Sequence, residues 1–173
     1  MADLQLLFSE LIRFETELWD AVDARLRADC ELQLTWFEPM QVISRHPACR
    51  VYDIAGELSL TVGGTSKLVD RIEASGFCRR RPNPGDRRSS IIELTPAGRH
   101  LLAEATAVFE DELRTRIGSA IPARSLEQFS TTLTKLRSAG NRAGRPGRRS
   151  GQRDALAVMS RTDRRAAAAE LKV

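Results

Sequence analysis

The sequence predicts a mainly α-helical fold that carries one short β-hairpin. Three observations lead there. Apolar residues recur at spacings of three and four along most of the chain, which is the signature of amphipathic helices. Aromatic residues make up only 5% of the 173, which suits helices packed through aliphatic side chains better than a β-sandwich. The run from Phe77 to Leu94 breaks the helical period. It reads as two strands, Phe77–Arg81 and Ser90–Leu94, joined by the turn cluster Pro82-Asn83-Pro84-Gly85-Asp86. The expected order is α1-α2-α3-α4-β-β-α5-α6.

Each element has its own signals. Leu4, Leu7, Phe8, Leu11, Ile12, Leu18, Trp19, Val22 and Leu26 mark a long first helix over about 3–29. Trp36, Phe37, Met40, Val42 and Ile43 mark a second over 34–45, with Thr35 as its expected cap and Pro39 in or just past its first turn. His46-Pro47 ends it, because a residue before proline avoids the α region. Val51, Ile54, Ala55 and Leu58 give a short third helix, and a turn at 59–61 lets Thr61 cap a fourth. In the fourth, Val62, Leu68, Val69 and Ile72 are expected inward, and Gly63 to Lys67, Asp70 and Arg71 outward. Gly76 ends it in the left-handed region. Thr95-Pro96 opens a fifth helix as cap and first residue, with a stripe from Leu101 to Ile117. Pro122 opens a sixth, through Leu126, Phe129, Leu133 and Leu136.

The charge is unevenly spread. The formal net charge is +4, yet residues 139–173 hold nine basic against three acidic residues, so the rest of the chain carries −2. Within that body, 61–95 holds seven basic residues against four acidic. Local positive charge on a small unit points to a shaped site for a polyanion. The tail, 140–173, opens with a Gly-, Pro- and Arg-rich run. It cannot bury a core and is expected to be disordered, with at most a marginal helix over 154–171.

Several classes are excluded on residue types. Cys30, Cys49 and Cys78 are odd in number and irregularly spaced, so no disulfide framework is expected. With His46 and His100 they fit no common metal spacing, so neither metal nor cofactor is expected. There is no glycine-rich phosphate loop and no ordered nucleophile, base and acid, so the chain is not read as an enzyme. No apolar run reaches the length of a membrane span and no signal segment opens the chain, so a cytoplasmic location is expected.

Two helices followed by a basic hairpin describe a winged helix-turn-helix. Its second helix suits a major groove, and arginines at the hairpin tip can reach the adjacent minor groove. Gly64, Thr65, Ser66, Lys67 and Arg71 are the candidate contacts on that helix. Each glycine there costs ~1 kcal/mol as helix relative to alanine, but lets backbone approach a phosphate. Asp70 and Glu73 are expected to support neighbouring arginines.

These residues resemble the DNA-binding core of the MarR (multiple-antibiotic-resistance regulator) family. The likeness is carried by Leu68-Val69-Asp70-Arg71-Ile72-Glu73, then Gly76-Phe77, then Asp86-Arg87-Arg88 with Leu94-Thr95-Pro96-Ala97-Gly98 behind. The Asp-x-Arg wing followed by Leu-Thr is the specific part; the helix pattern alone fits many winged-helix families. The likeness runs over about 3–139 and stops before the tail.

The resemblance implies an arrangement and an activity. Residues 3–29 and 118–139 would be dimerisation helices, 34–98 the DNA-binding region and 99–117 a connecting helix. Arg88 would reach the minor groove, oriented by Asp86, with Arg87 at the phosphates. The chain would be a homodimer on double-stranded DNA. It would repress transcription from a palindromic operator and be released by a small-molecule effector. Trp19, Trp36, Phe37, Met40 and Phe109 are the pocket candidates. Two alternatives stand beside this: a winged-helix module for architecture or protein contact without effector, and a regulator sensing oxidation through a cysteine.

Overall fold

The computed structural model describes residues 3–86 and 88–143. Arg87 and the tail from 144 onward, including the marginal helix considered there, lie outside the described residues. Six helices and one hairpin follow in the expected order: α1 Leu4–Cys30, α2 Leu34–Arg45, α3 Val51–Leu58, α4 Val62–Ala74, β1 Cys78–Pro82, β2 Ser90–Leu94, α5 Pro96–Leu113 and α6 Ala123–Ala143. The chain divides into two compact units, one up to Glu112 and one from Leu113. No helix among the described residues is long and apolar enough to cross a membrane.

The core of the first unit is aliphatic. Leu26, Phe37, Met40, Val42, Ile54, Val69, Ile72 and Ile92 are almost fully buried. The caps show how local chemistry sets the ends. The Asp3 carboxylate accepts from the Gln5 and Leu6 amides and starts α1. The α2 cap differs from expectation. Gln33, not Thr35, holds the cap position, and its side chain makes no cap bond. The Asp23 carboxylate reaches across from α1 instead and accepts from the Leu34 amide at 2.8 Å. Pro39 lies inside α2, past its first turn, and is buried.

Thr61 caps α4 as its type suggests, its hydroxyl accepting from the Gly64 amide at 3.2 Å. At the other end Gly76 has φ +81, and the Phe77 amide donates to the Ile72 carbonyl while Gly76 donates to Glu73. This pair of bonds is a Schellman end, and it turns the chain straight into β1.

The hairpin is antiparallel, with Cys78 opposite Leu94 and Pro82 opposite Ser90. Strand β1 is thus shifted one residue along from Phe77–Arg81, and Pro82 closes the ladder at its open end, where no further amide is needed. Two contacts mount the hairpin. The Ile92 amide donates to the Cys49 carbonyl at 2.7 Å, tying β2 to the loop before α3. At the base, a Cβ on Gly98 would lie 1.9 Å from the Phe77 carbonyl oxygen, so only glycine lets α5 start this close.

Thr95 caps α5 through its hydroxyl, which accepts from the Gly98 amide and donates to the Gly76 carbonyl. The inward face of α5 continues through Leu102 and Ala105 to Glu112, a buried carboxylate 3.8 Å from the Arg25 guanidinium of α1. In the second unit a π-helical turn, Arg114–Gly118, occupies the stretch expected to finish the connecting helix. Helix α6 then runs from Ala123 to Ala143, beyond the expected limit at 139. Its Phe129, Leu133 and Leu136 are exposed, as are Leu4, Leu7, Phe8 and Ile12 on α1.

Candidate nucleic-acid interface

Helix α4 sorts its residues by period. Val69 and Ile72 are fully buried, and Thr65 lies one turn before them on the same face. Thr65 was expected outward as a contact residue, but it is fully buried and its hydroxyl donates back to the Thr61 carbonyl at 2.9 Å. With its hydrogen bond spent inside the first turn and its methyl in the core, it cannot reach a ligand. Val62 is the converse case: expected inward, it is exposed. Gly64 and Lys67 are exposed, Ser66 is half-buried and Arg71 is exposed. Gly64 also has a packing reason to be small, since a Cβ there would sit 2.9 Å from the Thr61 hydroxyl.

Side chains alternate across β1, so Arg79 and Arg81 share one face and Arg80 takes the other. Glu93 is directly opposite Arg79. It ion-pairs with Arg79 at 3.4 Å and with Arg81. The hydrogen bond from Arg81 is the main reason the Glu93 carboxyl is held below the usual glutamate range. Arg80 turns to α4 and pairs with Asp70 at 2.7 Å and with Glu73. Burial works to lower its pKa, but the bonds to Glu73 and Asp70 outweigh it and hold the guanidinium above its ordinary value. Asp70 and Glu73 therefore do support an arginine, one from the hairpin.

At the tip, Asp86 and Arg88 meet through the backbone. The Asp86 carboxylate accepts from the Arg88 amide at 3.0 Å. This closes a turn and leaves the exposed guanidinium unconstrained by the aspartate. Asn83 braces the same loop, donating to the Ser89 hydroxyl at 2.9 Å and accepting from the Gly85 amide. Among the described residues, Lys67, Arg71 and Arg88 enter no ion pair. The face of α4 and the hairpin tip thus offer cations with open hydrogen-bonding capacity, while the arginines between them are already answered by carboxylates.

The expected pocket residues separate. Phe37 and Met40 are fully buried, and the Phe37 ring lies 4.8 Å from that of Phe109, centroid to centroid. Phe37 and Met40 lie in the core, on the face of α2 shared with Ile43. Trp19, Trp36 and Phe109 are half-buried. An open cleft of about 500 Å³ lies elsewhere, beside Arg81, Asn83 and Ser89 of the hairpin.

Burial disfavours the thiolate form at all three cysteines. Burial pushes Cys49 up to about 12 and Cys78 up to about 11, and it raises Cys30 as well. No group of three metal-binding side chains occurs among the described residues.

Comparison with known proteins follows the same segment. Residues 32–90 match the model of the MarR family. A Bacillus subtilis protein described as an uncharacterized HTH-type transcriptional regulator, YfiV, is 31% identical over 65 residues, which are 38% of this chain and 41% of that protein. The chain spans about two fifths of the length of the curated relatives it matches first. Among solved structures, BldR, a transcriptional regulator from Sulfolobus solfataricus, is 26% identical with a TM-score of 0.68, covering 79% of this chain and 94% of that one. The fold is shared with Sco3205, a MarR family transcriptional regulator from Streptomyces coelicolor solved in complex with DNA. It is 21% identical with a TM-score of 0.74, over 80% of this chain and 92% of that one.

Proposed function

We propose that the chain is a member of the MarR family, whose model matches residues 32–90, and that it is a transcriptional regulator that binds double-stranded DNA in a sequence-specific way. The observation that carries this reading is that, among the described residues, Lys67, Arg71 and Arg88 enter no ion pair on a mounted helix-and-hairpin unit in which Arg79, Arg80 and Arg81 are paired with carboxylates. Helix α4 would enter a major groove with Lys67 and Arg71 at phosphates and base edges. The Arg88 guanidinium would reach the neighbouring minor groove. The Gly64 backbone, thinly covered at the helix start, would approach a phosphate, with Ser66 beside it. Asp86 would set the direction in which Arg88 leaves the tip, through the backbone turn. Arg87, outside the described residues, would add charge beside it.

The chain would act as a homodimer. Leu4, Leu7, Phe8 and Ile12 leave an apolar stripe on α1 exposed, and Phe129, Leu133 and Leu136 do the same on α6. Stripes of that kind are poor water-facing surfaces and good helix-packing surfaces. A second copy supplies matching ones about a two-fold axis. Two α4 helices would then meet a palindromic operator with half-sites ~10 base pairs apart, blocking transcription there. A small-molecule effector would release the DNA by preferring a state with the wrong spacing. Trp19, Trp36 and Phe109 have surface to offer such a ligand; Phe37 and Met40 would first have to be uncovered.

Selection of bound duplexes from random sequence by the full chain tests the reading. Enrichment of an inverted repeat with that spacing supports it, and failure to enrich any duplex overturns it. Sedimentation at micromolar concentration tests the dimer in the same preparation.

A further inference from the structure

Among the described cations of the hairpin, Arg80 is the one paired with α4. Its Nη2 lies 2.7 Å from Asp70 Oδ1, and its Nη1 donates to Glu73 Oε2. The same Nη2 comes within 3.5 Å of the Ser66 carbonyl oxygen. The Arg80 backbone amide donates to the other Glu73 oxygen at 2.7 Å. Ser66, Asp70 and Glu73 span two turns of α4, so one residue of β1 grips the helix at three points. Its side chain is only 24% exposed, against 68% for Arg79.

We infer that Arg80 is a positioning residue for DNA recognition, one that fixes the angle between α4 and the hairpin so that Lys67, Arg71 and Arg88 meet the duplex as a single rigid set. This rests on the DNA-binding reading. The covalent link between the two elements is Ser75-Gly76-Phe77, and its central residue is a left-handed glycine, the most permissive backbone in the region. The Schellman bonds and the Thr95 hydroxyl pin that joint at its own residues, and Arg80 adds a hold that reaches two turns back along α4. A guanidinium can do so because its planar fork meets two carboxylates and a carbonyl at once, which the point charge of a lysine ammonium cannot. Freezing the angle before binding removes an ordering cost that would otherwise be met on the DNA. That benefit applies to a duplex matching both elements and not to a random one, which needs only scattered phosphate contacts.

The alternative is that Arg80 leaves its carboxylates and contacts a phosphate directly. Two variants separate the roles without changing the charge in the same direction: Arg80→Lys, which keeps it, and Glu73→Gln, which removes a negative one. Each is titrated as full chain against the duplex selected by the wild type and against an unrelated duplex, at several salt concentrations. The positioning role predicts that both variants lower the ratio of specific to non-specific affinity by about tenfold. It also predicts that the Arg80→Lys salt slope is unchanged, and that hairpin amides 78–82 exchange hydrogen faster in the DNA-free Arg80→Lys protein.

A phosphate contact predicts near-wild-type affinity for Arg80→Lys and tighter binding to both duplexes for Glu73→Gln, and that result overturns the proposal. Should Arg80→Lys fail to fold cooperatively in urea, Glu73→Gln alone decides. If the wild type selects no duplex, the DNA-binding reading fails and takes this role with it; faster exchange would then mark Arg80 as a brace only.

Discussion

The stem and the tip of the hairpin both carry arginine, and they use it in opposite ways. In the stem, Arg79 and Arg81 flank Glu93, and Arg80 is held by Asp70 and Glu73. At the tip, Arg88 has its amide tied to Asp86 and its guanidinium exposed, in company with Lys67 and Arg71 on α4. Counting charge over 61–95 makes no distinction between the two sets. Pairing does: an arginine held by a carboxylate must give up that partner to meet a phosphate, a small cost for exposed Arg79 and a larger one for half-buried Arg80. The stem therefore organises the unit, and the tip and the α4 face keep positive charge that no carboxylate answers among the described residues.

The largest expected effect breaks the stem. Gly98→Ala places a Cβ against the Phe77 carbonyl, backbone against backbone, with no flexible side chain to yield. It should lower stability by about 3 kcal/mol in a urea titration, and wild-type stability would show that the mounting is not tight. Next in size is Arg88→Ala. It should weaken binding to the selected duplex by about 2 kcal/mol with an unchanged unfolding midpoint. An equal loss from Arg79→Ala would erase the difference between stem and tip. Lys67→Ala should act more evenly, weakening all duplexes alike and lowering the salt slope by about 1.

The smallest effect sharpens the stem from the pH side. The Glu93 pKa is depressed in the folded chain, so its contribution is present above the unfolded glutamate range and is lost as pH falls through the folded value. Glu93→Gln should therefore narrow the stability gap between neutral and acid pH slightly, and salt should screen even that. If the variant left the acid limb of the stability curve unmoved, the Arg79–Glu93–Arg81 pairing would have no weight in solution.

Helix and strand order was legible in the sequence because apolar period, caps and turn residues are local. Thr61, Gly76 and Thr95 act at the very positions their chemistry suggests. For the candidate site, exposure and pairing agree with the sequence reading at some residues and not at others. Lys67, Arg71 and Arg88 are exposed and unpaired as candidate contacts should be, whereas Thr65 is not. Helical period places Thr65 with Val69 and Ile72, and that signal was available; its hydroxyl suggested an outward role that its phase on the helix contradicts. The parity of β1 could likewise have separated Arg80 from its neighbours, since residues 79 and 81 alternate with 80.

The sequence by itself determined which segments are helix, which is hairpin, and where basic residues gather, because each depends on neighbours a few residues apart. The tertiary structure alone decided which of those basic residues are free. Asp70 and Glu73 reach Arg80 only once α4 lies against β1, and Asp23 reaches the start of α2 only once α1 packs beside it. Ion pairing acts over a few ångströms in space and takes no account of distance along the chain.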